Sequence, residues 1–155
     1  MEKTNMLETR VELMEHAAFL IIDTVEVGAR ILLIWPRQEN GVSPLWKLPG
    51  GKRENYELPE ETMVREVMEE VGLTISKTSC KCIMATLIEE PEHRFIVFST
   101  CNLSITVERL RLNPDEISVA AFFNERQIEE LIKNKLIPKR HAIAIQTYLQ
   151  EYCYV

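Results

Sequence analysis

Zinc-spaced cysteines, glycine–serine linkers, internal repeats and long apolar runs are all missing from this 155-residue chain, and each absence closes off a class of protein. Cys80, Cys82, Cys101 and Cys153 make no C-x-x-C pair and have no histidines at zinc spacing. Free thiols are therefore expected, not a disulfide framework or a zinc site. No apolar stretch approaches the roughly 18 residues that cross a bilayer, and Met1-Glu2-Lys3-Thr4-Asn5 lacks the basic-then-apolar layout of a signal peptide, so a cytoplasmic location with no membrane contact is expected. With no linker or repeat, residues 1–155 read as a single domain, and 46% hydrophobic with 27% charged residues suits a soluble core of ordinary size. A homodimer is the default state for such a chain. The net charge of −6 repels nucleic-acid backbones, so no long RNA or DNA partner is expected, whereas a small polyphosphate bridged by Mg²⁺ stays compatible.

What is present is a strand-rich chain with helices inserted. His16 to Ile22 and Arg30 to Trp35 are β-rich runs joined by a turn near Val27-Gly28, which predicts a hairpin, and Arg37 to Pro44, with Asn40-Gly41 inside, reads as a loop. Thr78 to Leu87 and Phe95 to Leu103 predict two strands linked through Glu89-Glu90-Pro91-Glu92-His93, and Ile117 to Phe123 predicts another. Helices are predicted over Glu125 to Lys133 and Lys139 to Tyr152, with Pro138 at the start of the second. This mixture implies an α/β sandwich.

The richest segment is Gly51 to Leu73, a glycine loop feeding a helix. At 100° per residue, Glu66, Glu69 and Glu70 share one face of Pro59–Val71 with Thr62, while Met63, Val64, Val67, Met68 and Val71 form the other. Pro59 suits the first helical position, Glu60 and Glu61 complement the positive end of the dipole, and Gly72 can take the left-handed cap. Leu58 is a poor N-cap, so packing or a neighbour such as Glu57 must hold the helix start. Glu69 and Glu70 lie in the last turn, where the dipole disfavours anions by about 0.3–1 kcal/mol each, and Glu66 with Glu70 is a like-charge i,i+4 pair. Carboxylates about 6 Å apart repel by roughly 3 kcal/mol at an effective dielectric of 20. A hard divalent ion removes that penalty, and oxygen-only ligands suit Mg²⁺ or Mn²⁺.

The segment resembles the Nudix box, G-x5-E-x7-R-E-U-x-E-E-x-G-U with U aliphatic. All nine specified positions match: Gly51, Glu57, Arg65, Glu66, Val67, Glu69, Glu70, Gly72 and Leu73. Leu45 to Gly51 is similar to the family's W-x-L-P-G-G approach, and Asp115 to Phe123 followed by an acidic helix is similar to its late strand and helix. The resemblance implies a Nudix-type α/β/α sandwich, with a mixed, partly antiparallel sheet between helices. It also implies Mg²⁺- or Mn²⁺-dependent cleavage of a phosphoanhydride in a nucleoside diphosphate linked to another group X. Carried over by position, it makes Glu66, Glu69 and Glu70 metal ligands, joined by the carbonyl of Gly50. Gly51, Glu57 and Gly72 become structural residues of the box, and Arg65 pairs with Glu57. Arg65 is grouped with Glu69 and Glu116 as the reacting residues. The general base stays open among Glu69, Glu89, Glu90 and Glu116.

Substrate determinants lie outside the box. A proline some fifteen residues past it would suggest ADP-ribose, and a tyrosine there dinucleoside polyphosphates; this chain has Pro91 and no tyrosine in that stretch. Where the family often has glycine before the first box glutamate, this chain has Tyr56. Tyr56, Trp35, Phe95 and Phe123 are candidates to stack a nucleobase or to fill the core. Arg37, Lys47, Arg53, Arg94 and the cluster Lys139-Arg140-His141 are candidates to reach phosphates or to be plain surface cations. Three functions follow: a pyrophosphohydrolase of an NTP, nucleotide sugar or dinucleotide; a non-catalytic nucleotide-sensing module; or an isoprenoid-diphosphate isomerase. The intact glutamates weigh against the second, and the lack of a cysteine near the box against the third.

Overall fold

A computed structural model describes residues 14–23, 30–37, 45–88, 93–100 and 109–152. The expected run from His16 to Ile22 is split. It forms β1 (Met14–Leu20) and the short β2 (Ile22–Asp23), which belong to different sheets. Ile21 marks the division, and its carbonyl accepts from the amide of Leu32 at 3.0 Å. β3 (Arg30–Pro36) pairs antiparallel with β2 and with β7 (Ile117–Asn124), which gives a three-stranded sheet. The four-stranded sheet has the order β4 (Gly50–Lys52), β1, β6 (His93–Thr100), β5 (Cys80–Ile88). In it β1 runs parallel to β6 and antiparallel to β4, so the sheet is mixed.

The glycine loop was not expected to supply a strand, yet Gly50–Lys52 pairs with His16–Ala18. A single 3-10 turn, Lys77–Ser79, precedes β5, so the predicted strand starts two residues later. The turn at Val27-Gly28, the loop at Asn40-Gly41, Glu89 to Glu92, Cys101 to Leu103 and Cys153 lie outside the described residues.

Among the described residues three helices cover these sheets: α1 (Pro59–Val71), α2 (Glu125–Lys133) and α3 (Lys139–Tyr152), with the predicted bounds. Alternate strand residues feed two separate cores. Ala17, Phe19, Leu32, Ile34, Ile96 and Phe98 pack with Met63, Val67 and Val71 of α1. Ile31, Leu33, Phe95 and Val97 pack with Ile128 of α2 and Ala144, Ile145 and Leu149 of α3. Strands buried on both faces read as continuous apolar runs, as Ile31-Leu32-Leu33-Ile34 does, and each fully buried side chain of this size contributes roughly 1.5–3 kcal/mol.

The start of α1 is held from within the helix. Glu61, not Glu57, takes the Leu58 amide on its carboxylate at 3.0 Å, because Glu57 is engaged elsewhere. At the other end Gly72 adopts φ 72° and its amide donates to the Met68 carbonyl. The carbonyls of Val71 and Glu70 accept from the amides of Arg111 and Asn113 at 2.8 and 3.1 Å, so a distant segment finishes the helix. The two faces differ from expectation. Met68 is 44% exposed, whereas Glu70 and Thr62 are buried. Helical geometry explains this: Glu70 stands only about 20° round the axis from Met63 and Met68 about 140°.

Candidate active site

The loop before α1 approaches β1 so closely that side chains are excluded. At Gly50, φ is +148°, and a Cβ would overlap the Ala17 carbonyl. At Gly51 a Cβ would overlap the carboxyl group of Glu66. The glycines thus let the α1 carboxylates lie directly on the loop backbone. Glu70 shows the result: its Oε1 accepts from the Gly50 amide at 2.7 Å, and its Oε2 is 4.0 Å from Lys47 Nζ.

Arg65 ties the unit together. Its Nε and Nη2 donate to the two oxygens of Glu57 at 2.9 and 3.0 Å, and Nη2 also donates to the Lys52 carbonyl at 2.9 Å. Its Nη1 spans Glu66 at 3.0 Å and Glu69 at 3.2 Å. All five guanidinium N–H donors are thereby directed at the chain itself. In this arrangement Arg65 positions the loop and the carboxylates.

Charge in the site is unevenly tolerated. The Arg65 hydrogen bond holds the Glu57 carboxyl below the usual range. Glu66 is pushed upward, mainly by desolvation, with Arg65 opposing and Glu69 and Glu116 adding repulsion. Glu70 rises to about 7, again chiefly through desolvation, with Lys47 and the Gly50 amide opposing and Glu66 and Glu116 reinforcing. Glu116 is exposed in the turn before β7, and its charge acts on both Glu66 and Glu70, so the fold brings it to the site from far along the chain. Glu69 is the outer member, with its side chain 47% exposed.

This donor set suits a hard divalent cation: it offers only oxygens, and its inner carboxylates are short of compensating charge. As the side chains stand, Arg65 fills the gap between Glu66 and Glu69, and among the described residues no three His, Cys, Asp or Glu groups converge tightly enough to grip an ion. The Gly50 group in contact with Glu70 is the amide, whereas the carbonyl was the ligand expected from sequence.

The remaining candidates separate. Arg37 is exposed, and its amide donates to the Glu116 carbonyl at 2.8 Å. Arg53 is committed to the Glu57 carbonyl through Nε, and Arg94 lies 3.9 Å from Glu15. Phe123 and Trp35 each pack edge-on against Trp46, with ring centroids 4.8 and 5.1 Å apart, so both belong to an aromatic cluster. Glu89 and Glu90 fall outside the described residues. Tyr56 is 75% exposed and adopts φ +62°, next to Asn55 at φ +43°. A left-handed tyrosine is strained, so Tyr56→Gly is expected to stabilise the fold by about 1 kcal/mol in urea unfolding. An unchanged or lower midpoint would show that the tyrosyl ring makes up the difference by packing.

Beside Gly50 and Gly51 opens a pocket of about 160 Å³ whose wall includes His16, Lys47, Phe95, Arg140 and His141. It draws on β1, the segment before β4, β6 and α3, and sequence spacing gave no sign that these meet; His16 was not a candidate at all. His141 is buried, and its Nδ1 accepts the Leu48 amide at 3.1 Å, which latches α3 to the glycine loop. Burial first, then the charges of Arg140, Lys47 and His16, push its pKa down to about 3. An imidazole depressed in the folded state gives stability that is complete above the unfolded value near 6.5 and is lost as pH falls toward 3. Relative to His141→Gln, the wild type is expected to lose a few kcal/mol between pH 7 and pH 4 in denaturant titrations. Parallel pH profiles for the two proteins would refute the buried neutral histidine.

A NUDIX domain profile matches residues 14–146. The ADP-ribose pyrophosphatase of Bacillus subtilis is 26% identical over 150 residues, covering 96% of this chain and 80% of the relative. The 8-oxo-dGTP diphosphatase of Proteus vulgaris is 40% identical over 50 residues, 32% of this chain and 38% of the relative. The chain spans only 19% and 38% of the length of the 8-oxo-dGTP diphosphatases it matches, a putative one of Mycobacterium tuberculosis and that of Proteus vulgaris. Among solved structures, the MutT protein of Methanosarcina mazei Go1 superposes with a TM-score of 0.70 at 20% identity, over 90% of this chain and 94% of that one, which shows a common fold. A complete box, the loop-and-helix geometry and a profile covering most of the chain agree: this chain belongs to the NUDIX domain family.

Proposed function

We propose that the protein is a divalent-cation-dependent hydrolase of the phosphoanhydride in a small nucleoside diphosphate derivative. The observation that carries this reading is the pair Glu66 and Glu70, desolvated carboxylates laid on a glycine loop that has no room for a Cβ. Mg²⁺ or Mn²⁺ would be held by Glu66 and Glu70, with Glu69, Glu116 and the Gly50 carbonyl as further oxygen donors. When bound, such a cation neutralises diphosphate charge and acidifies a water for attack on phosphorus. The chain's own residues do the rest. Arg65 fixes the carboxylate array, Lys47 adds positive charge at the pocket side, and Glu69 and Glu116, both exposed, are placed to accept a proton.

The relatives' names give the substrates to try first, ADP-ribose and 8-oxo-dGTP. Purified protein with millimolar Mg²⁺ or Mn²⁺ is expected to release nucleotide or phosphate from at least one of NTPs, 8-oxo-dGTP, ADP-ribose, nucleotide sugars, dinucleoside polyphosphates and coenzyme A, and to stop on chelation. Silence across that panel, alongside nucleotide binding by calorimetry, would replace the hydrolase with a sensor.

A further inference from the structure

The segment that leads into the glycine loop is held from two sides. Lys47 forms an isolated antiparallel bridge with Ile34 of β3, its amide donating to the Ile34 carbonyl at 3.0 Å and its carbonyl accepting from the Ile34 amide at 2.9 Å. The amides on either side of it face the other way. Trp46 donates to the Leu136 carbonyl at 2.9 Å, in the corner between α2 and α3, and Leu48 donates to Nδ1 of His141 at 3.1 Å, in the first turn of α3. Trp46 to Leu48 therefore alternates its amides as a strand does, with β3 as one neighbour and the α2–α3 corner standing in for the other.

Each amide from Trp46 to Gly50 is then accounted for. Pro49 has none, its carbonyl accepts from the amide of Phe19 on β1 at 2.8 Å, and the Gly50 amide donates to Glu70 Oε1 at 2.7 Å. Of the groups that accept these amides, His141 is the one side chain contributed from outside residues 45–73. It is firmly seated. The imidazole is buried and lies tilted against Phe95, with ring centroids 5.1 Å apart, so its acceptor does not follow a drifting loop. Leu48 is fully buried as well, and without an acceptor at this point its amide finds another partner only if the chain shifts. Gly50 is two residues downstream, and the ring-fixed φ of Pro49 passes such a shift on to it.

Building on the hydrolase reading, we propose that His141 is a positioning residue for the reaction: through the Leu48 amide it sets where Gly50 meets Glu70, and with that the placement of the Gly50 carbonyl and of the carboxylates that hold the cation. Its action is on the loop, not on the reacting atoms.

Three substitutions separate this role from plain packing. The Oδ1 of asparagine, like Nδ1 of histidine, is bonded to Cγ and can accept from the same amide; the glutamine oxygen stands one bond farther out; phenylalanine keeps a ring against Phe95 but has no acceptor. On the best substrate with Mg²⁺, His141→Phe is expected to lower kcat about a hundredfold and to change KM less than about threefold, the loss that a displacement of about 1 Å in a positioned group produces. His141→Asn should recover kcat to within about fivefold of wild type, and His141→Gln should not. In metal-free protein the Gly50 amide resonance, which reports the bond to Glu70, should move in His141→Phe and return in His141→Asn. A His141→Phe protein that melts earlier but keeps wild-type kcat, or whose Gly50 resonance stays in place, would overturn the proposal and leave His141 a structural residue. If His141→Phe does not fold, equal kcat in the asparagine and glutamine variants overturns it. A wild type that hydrolyses nothing counts against the hydrolase instead, and the Gly50 resonance across the variants then decides whether His141 sets the loop.

Discussion

Glu70→Gln is expected to lower turnover by about a thousandfold or more while making the metal-free protein more stable than the wild type at pH 8. The two effects share one cause. Glu70 is almost wholly buried on the loop backbone, and desolvation lifts its pKa from 4.5 to about 7. A carboxyl raised in the folded state favours folding fully below its unfolded pKa, and that benefit is lost as pH climbs through the folded value. Above pH 7 the ionised group costs on the order of 3 kcal/mol, with Lys47 already offsetting part of the repulsion. Glutamine keeps the acceptor for the Gly50 amide and sheds the charge, so the gain should grow from nearly nothing at pH 4.5 to its full size near pH 8. Added Mg²⁺ is expected to reverse the order, since on the proposed reading it binds the folded wild type and stabilises it by mass action. On the proposed reading Glu70 is a cation ligand, and loss of one such ligand forfeits several kcal/mol of transition-state stabilisation, which sets the thousandfold scale. Urea titrations in chelator at several pH values, repeated with Mg²⁺, check stability, and initial rates check catalysis. Equal rates in variant and wild type would take Glu70 out of the mechanism.

The bounds of helix α1 were legible because its information is local. Pro59, the apolar spacing of Met63, Val67 and Val71, and Gly72 fix its start, its buried stripe and its end within thirteen residues. The same locality explains why the glutamate cluster could be singled out from sequence. Two aspects could not be. Angular position alone does not reveal how far the core extends round the helix, so Glu70 looked like part of a polar face although it sits beside Met63. The Leu58 cap also depended on which of two nearby glutamates was already engaged, and Arg65 had claimed Glu57.

Pairing between strands is where local pattern stopped being informative. An apolar run buried on both faces carries no alternation, so the passage from β1 to β2 at Ile21 and the parallel pairing of β1 with β6, far apart in the chain, left no mark in composition. β4 contains two glycines, which are poor strand formers, and it pairs only because β1 provides a partner for a backbone without side chains. The pocket inherits this difficulty. His16, Lys47, Phe95, Arg140 and His141 meet only after the sheet has formed and α3 has docked, and each alone resembles an ordinary core or surface residue. Tyr56 is different again: its left-handed backbone stands where the family often uses glycine, a departure visible in sequence whose conformational cost is not.

The two loop glycines, adjacent in sequence, should answer oppositely to the same substitution. Gly50→Ala is expected to prevent folding, with a loss of about 4 kcal/mol or more, and Gly51→Ala to leave the fold within about 1 kcal/mol of wild type while cutting activity roughly a hundredfold. At Gly50 the added methyl would strike the Ala17 carbonyl and the Ala18 Cα, both backbone atoms of the paired strand β1, and φ +148° is itself closed to alanine. Neither neighbour can yield without breaking the β1–β4 pairing. At Gly51 the methyl would strike the carboxyl end of Glu66, a side chain free to rotate away. That rotation removes Glu66 from Arg65 Nη1 and from its place beside Glu70, and a displacement of about 1 Å in a positioned group is enough for a hundredfold loss. Circular dichroism melts and Mg²⁺-dependent rates on both variants separate the outcomes. A well-folded Gly50→Ala would mean that the loop does not lie against β1 as described, and a fully active Gly51→Ala would mean that the position of Glu66 does not govern the reaction.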